Sequence, residues 1–265
     1  METAGYLASA LIGVSLGLIG GGGSILTVPV LVYLFNVSPA IATSYSLFVV
    51  GSSSLVGAWN NYKKGLVSIK TALMFGMSSI LTVFLTRKFI MPAIPEKIMQ
   101  IGTYTLTKSL LIMVLFALLM LGAAISMIRD HGKNKSDAVA ESKLRLPGLL
   151  LNGVGIGGIT GLLGAGGGFL LIPSLVLFVK LPMKGAIGTS LLIIALNSLI
   201  GFTGDLGHHF IDWRLLLTIS FLAIVGIFIG GSVAKRISGA KLKVAFGWFV
   251  LLMGLYILVR EIVFA

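Results

Sequence analysis

GLIGGGGSILTVPVLV (17–32) and GLLGAGGGFLLIPSLV (161–176) are one pattern written twice in this chain. At an offset of 144 the two copies run without a gap through SSLVG (53–57) and NSLIG (197–201), with 15 identical pairs among the 41 positions from 17 to 57. The pairs include Gly20/Gly164, Gly22/Gly166, Gly23/Gly167, Pro29/Pro173, Ala42/Ala186, Ser46/Ser190 and Gly57/Gly201. Self-similarity at a fixed spacing marks an internal repeat. Each half also closes on a similar block, LMLGAAISMIRD (119–130) and LLMGLYILVRE (251–261), and the first half carries roughly a dozen extra residues before it.

Both copies lie in long apolar stretches. Of 265 residues, 57% are apolar and 11% charged, against about 25% charged in a soluble domain. Apolar blocks of 17 residues or more match the length that crosses a bilayer. The start METAGYL lacks a basic signal region, so the first apolar block is expected to stay on the chain. Net charge is +12, but Lys and Arg sit in the short connections between apolar blocks. That is the positive-inside pattern of a multi-pass cell-membrane protein, not a nucleic-acid footprint. The absence of Cys excludes disulfides, thiolate metal sites and cysteine catalysis.

The first half reads as apolar stretches 5–35 (interrupted at Gly20–Gly23), 40–58, 71–86 and 108–128. The second reads as 146–179 (interrupted at Gly164–Gly168), 185–203, 214–234 and 243–260. The polar run 129–145 is the natural cytoplasmic linker between a membrane repeat over 1–128 and another over 146–265. Stretches 5–35 and 146–179 are long for one crossing and short for two, since two need about 40 residues. If each crosses once, alternate loops carry 10 and 9 Lys/Arg, which is no bias. If each is a re-entrant hairpin of two partial helices, loops 59–70, 129–146, 180–184 and 235–243 share one side with 14 Lys/Arg against 5. The positive-inside rule selects the hairpins. The expected fold is all-α, with two inverted repeats, each a Gly-broken hairpin plus three transmembrane helices. Loop 87–97, with Arg87, Lys88 and Lys97, falls outside against the rule.

The doubled pattern G-x-x-G-x-G-G-x-x-x-x-x-P followed by AIATSYSL (40–47) and AIGTSLL (186–192) resembles the TauE/SafE sulfite exporter family, also called TSUP. The likeness spans nearly the whole chain. It implies movement of sulfite, sulfonates or related sulfur oxyanions. Tyr45 stands where the second copy has Thr189, so the polar pair of the first copy is Thr43-Ser44.

Three constellations could carry chemistry. The Gly-rich breaks would expose backbone N–H groups and a positive dipole end where a helix restarts, at Ser24 and at Gly168/Phe169. Two such ends near the midplane form an anion site in inverted-repeat transporters; the alternative is that these glycines serve only close helix packing. The candidate ligands from the breaks are Gly21, Gly22, Gly23, Ser24, Ala165, Gly166, Gly167 and Gly168. A hydroxyl and amide set, Thr43, Ser44, Ser46, Thr189, Ser190 and Asn197, could complete the coordination, or could bond between helices and back to the helix itself. Ser52, Ser53, Ser54 and Ser198 read as helix-bonding hydroxyls. Among ionisable residues, no Asp or Glu falls within an expected span, which argues against a carboxylate-lined cation path. Lys108 reads as a boundary residue that snorkels. Asp205, His208, His209 and Asp212 read as a solvated outer loop.

Gly153-Val-Gly155-Ile-Gly157-Gly158 fits G-x-G-x-x-G but lies in an apolar helix with no preceding strand, so it is no dinucleotide site. No phosphate-binding P-loop, zinc-protease motif or compact catalytic cluster is present, so neither an enzyme nor a cofactor or metal is expected. The expectation is a secondary transporter, working as an exporter, whose partners are a small anion and the bilayer; a homo-oligomer is compatible with it. The competing readings are an anion channel with the hairpins as filter, and a non-transporting subunit of a larger complex.

Overall fold

The computed structural model describes residues 2–101, 104–129, 146–164, 166–177, 179, 181–207, 210–233 and 239–263. The linker 130–145, Ala165, His208 and His209 lie outside the described residues. The first half contains α1 (Glu2–Ile19), a 3-10 turn (Gly21–Leu26), α2 (Thr27–Leu34), α3 (Pro39–Tyr62), α4 (Ile69–Leu85), a π turn (Thr86–Ile90), the short α5 (Met91–Ala93) and α6 (Lys108–Arg129). The second contains α7 (Leu146–Leu163), α8 (Gly168–Leu177), α9 (Met183–Asp205), α10 (Trp213–Val233) and α11 (Gly239–Val263). Five of the described helices are long and apolar enough to cross a membrane. The fold is that of an all-α multi-pass membrane protein, with one addition. The extra residues of the first half, which belong to none of the expected apolar stretches, form an antiparallel hairpin, β1 (Lys97–Ile101) with β2 (Tyr104–Thr107).

The 144-residue offset reappears in the backbone. Adding it to the bounds of α1 gives those of α7, and α3/α9 and α4/α10 start at matching positions. Local hydrogen bonds match too: Gly20 N–H to Leu16 O (2.8 Å) and Gly164 N–H to Thr160 O (2.9 Å), Val37 N–H to Leu31 O (3.0 Å) and Leu181 N–H to Leu175 O (3.1 Å). Packing follows the same exchange. Helix α1 packs on α10 while its counterpart α7 packs on α4; α3 packs on α9, and α6 on α11.

Glycine sets the close approaches. A Cβ at Gly13 or Gly17 would overlap the α10 backbone at Ala223 or Ile227, and one at Gly226 or Gly230 would overlap α1 at Ala10 or Val14. Gly153 and Gly157 press α7 onto α4 at Phe75–Ser79 in the same way. These spacings of four are the small-residue interfaces of membrane helices, and they account for Gly153 and Gly157 within the run that mimics a dinucleotide motif.

The exterior is apolar and the hydroxyls are inside. Leu7, Leu11, Leu73, Met77, Leu81, Phe221 and Phe228 are exposed, whereas Ser24, Thr43, Ser46, Ser54, Thr189, Ser190 and Asn197 are buried. Water would favour the reverse; lipid, which cannot satisfy hydroxyls, favours this one. Helices α3 and α9 are the most enclosed of the spans and carry half of the buried serines and threonines among the described residues.

Candidate anion site

The two glycine breaks meet. A Cβ on Gly21 would overlap the backbone of Gly168, and one on Gly168 would overlap Gly21. The chain turns there through left-handed conformations at Gly20 (φ 75°), Gly164 (φ 67°), Gly166 (φ 64°) and Gly167 (φ 67°), which side chains with a Cβ rarely adopt. After the second break α8 restarts at Gly168, as the sequence implied. After the first break the restart differs from expectation: a 3-10 turn holds Gly21–Leu26, and the α-helix resumes at Thr27 instead of Ser24. Ser24 is used locally, its Oγ donating to Gly21 O at 2.7 Å. Gly22 lies in that turn; Gly23 packs against α1 at Ile12–Leu16.

The remaining predicted ligands divide by what they already bond. Ser190 Oγ donates to Ile187 O (2.9 Å) and Thr43 Oγ1 to Ala40 O (2.7 Å), both back to their own helices. Thr189 Oγ1 accepts from Ser68 N–H at 2.9 Å, tying α9 to the start of α4. Ser44 is buried. Ser46 Oγ has no partner. Asn197 Nδ2 donates to Ser79 Oγ at 2.7 Å and leaves Oδ1 unpaired; turning the amide over would let Ser79 donate instead and free both N–H groups.

Two serines read from sequence as helix-bonding prove otherwise. Ser54 and Ser198, equivalent at the offset of 144, both have buried hydroxyls without a partner. Ser198 Oγ lies 3.0 Å from where a Gly166 Cβ would stand, and the unpaired Thr160 hydroxyl abuts Gly167. An unsatisfied buried hydroxyl costs about 1–3 kcal/mol. The identity of Ser54 and Ser198 across the repeat was the available signal.

The ionisable residues correct the sequence reading most. Asp205 is not in a solvated loop. It ends α9, is 8% exposed, and its Oδ2 accepts from Arg87 Nη1 at 3.0 Å. Arg87 is not in an outer loop either. It lies in the π turn that prolongs α4 and is 1% exposed. The same Nη1 donates to Thr43 Oγ1 at 3.1 Å, and the Thr43 carbonyl abuts Gly164. A chain of contacts thus runs from the second glycine break to a buried ion pair. Lys108 does not snorkel: it is 7% exposed, and Nζ donates to Met91 O at 2.6 Å.

The fold and these paired breaks define a multi-pass membrane protein with its backbone irregularity shielded inside, the arrangement of a transporter. The chain belongs to the sulfite exporter TauE/SafE family, whose model matches residues 6–257. It is 30% identical over 259 residues to a protein of Xylella fastidiosa (strain 9a5c) named "Probable membrane transporter protein", covering 96% of this chain and 94% of that one. It is 25% identical over 240 residues to the "Probable membrane transporter protein YdhB" of Bacillus subtilis, covering 90% and 93%. No solved structure gives a significant match. The protein is a membrane transporter of the TauE/SafE type.

Proposed function

We propose that the chain is a secondary transporter that exports a small sulfur-containing oxyanion, such as sulfite or an organosulfonate, by alternating access between two inverted repeats. The observation that carries this is the meeting of the two glycine breaks at Gly21 and Gly168 beside unpaired buried hydroxyls. Glycine leaves backbone N–H groups open to an oxyanion, and hydroxyl donors add selectivity without fixed charge. Gly166, Gly167, Ser46, Ser54, Ser198 and Asn197 are the ligands this reading favours. Thr189 and Ser190 hold the helices around them. Export has a ready driving force: an inside-negative potential supplies about 2.3 kcal/mol per charge per 100 mV toward anion exit.

The test is counterflow in proteoliposomes containing this protein alone, loaded in turn with sulfite, taurine, thiosulfate, sulfate or chloride while a labelled sulfonate is followed. Acceleration by some anions and not others establishes a carrier and its substrate class. No exchange with any of them, or currents without counterflow, defeats the carrier reading.

A further inference from the structure

We propose that Arg87 and Lys108 form a second oxyanion station, apart from the glycine breaks, in a cavity of about 350 Å³ bounded by Ala40, Arg87, Met91, Glu96, Lys108 and Asp205. This rests on the oxyanion reading above and adds a charged stop to the path.

The guanidinium has two usable edges. Its Nη1 is spent on Asp205 and Thr43. Its Nε and Nη2 have no partner, although the side chain is 1% exposed. Those two N–H groups lie parallel in the guanidinium plane along one edge and match two oxygens of a single oxyanion. Leaving them bare in a membrane protein is costly, more so than for a neutral donor. Asp205 balances the charge of Arg87 while leaving this fork free, so the site offers directed donors instead of surplus charge. It therefore favours an ion with two suitably spaced oxygens over a spherical halide.

Two further features converge there. Arg87 sits in a π turn (Thr86–Ile90), a distortion frequent at functional sites. Lys108 is the first residue of α6, where the helix dipole disfavours a cation; a bound anion would relieve that conflict. The station is also one-sided. At the offset of 144 the residues matching Arg87, Asp205 and Thr43 are Gly231, Asn61 and Ile187, all uncharged. The repeat thus places a charged vestibule at one end of the path only, joined to the second break through Thr43 and Gly164.

The experiment is thermal stabilisation of the purified full chain by sulfite, methanesulfonate and chloride, for wild type, Arg87→Lys, Lys108→Gln and the double variant Arg87→Gln/Asp205→Asn. The double variant removes both charges together and so avoids a stranded Asp205. Wild type should respond to the two oxyanions more strongly than to chloride. Sulfite affinity should fall about tenfold or more in Arg87→Lys and in the double variant, and severalfold in Lys108→Gln, which keeps the ion pair intact. Unchanged sulfite affinity in all three variants overturns the station and leaves the carrier reading standing. Absence of any oxyanion response in wild type overturns both.

Discussion

The phenol of Tyr45 accepts a hydrogen bond from the backbone N–H of Asp212 at 2.6 Å. Moved by 144 residues, the same bond joins Thr189 Oγ1 to the backbone N–H of Ser68 at 2.9 Å. Tyr45 and Thr189 are equivalent positions that differ in sequence, yet they do the same work. Each ties an enclosed helix to the start of a helix in the other repeat, α3 to α10 and α9 to α4. Asp212 and Ser68 match as well: Asp212 Oδ1 accepts from Leu215 N–H (3.0 Å) and Ser68 Oγ from Thr71 N–H (3.4 Å), each capping its helix.

If these ties close opposite ends of the path, breaking one should open one end. The chain has no native cysteine, so a thiol placed at Ser198→Cys reports cleanly. Tyr45→Phe should raise its labelling by an impermeant reagent from one face of the membrane, and Thr189→Val from the other, because each removes the acceptor of a part-buried hydrogen bond, a loss of about 0.5–1.5 kcal/mol. Equal enhancement from a single face by both variants would count against paired gates.

The glycine crossing makes a steric prediction. Gly21→Leu and Gly168→Leu drive a side chain into backbone and should abolish transport, with the bulk of the protein still inserted. Gly155→Ala is the control: nothing lies within 4 Å of its Cβ position, and alanine is the better helix former by about 1 kcal/mol. Counterflow and membrane-fraction yield, measured side by side, check both. Retained transport in Gly168→Leu would remove the crossing from the path.

The buried pair predicts non-additive stability. Arg87→Gln alone strands the carboxylate of Asp205 and should cost about 3–5 kcal/mol. Adding Asp205→Asn should return most of that loss, because two neutral amides need no counter-ion. Thermal unfolding in detergent reads the cycle. A double variant no more stable than Arg87→Gln would mean that the pair is not coupled as its 3.0 Å contact requires.

Much of this was legible because hydropathy and repetition are local signals. The breaks at Gly20–Gly23 and Gly164–Gly168, and the spans that became α3, α9 and α10, follow from apolar run length and one offset. Arg87 was misplaced for a physical reason. A cation normally ends a span, but here its charge is met by Asp205, 118 residues away. No local pattern reveals that pairing. Lys108 escaped for the same reason, its partner being the Met91 carbonyl. The hairpin 97–107 hid in an insertion that has no second copy to compare. The hydroxyls were visible as a set, but whether each bonds its own helix, as Ser190 does, or is left bare, as Ser198 is, depends on neighbours from other helices.

One pair of positions decides the orientation of the two halves. Lys64, just beyond α3, and Leu206, just beyond α9, lie two residues apart in repeat register, and both are exposed. If each half crosses three times after its re-entrant hairpin, equivalent helix ends must face opposite sides of the membrane, with the basic loop at Lys63-Lys64 inside. An impermeant maleimide on intact cells should therefore label Leu206→Cys and spare Lys64→Cys until the membrane is opened. Labelling of both from outside would require an even number of crossings per half. The two halves would then be parallel, and opposed helix ends could no longer supply the two-sided site.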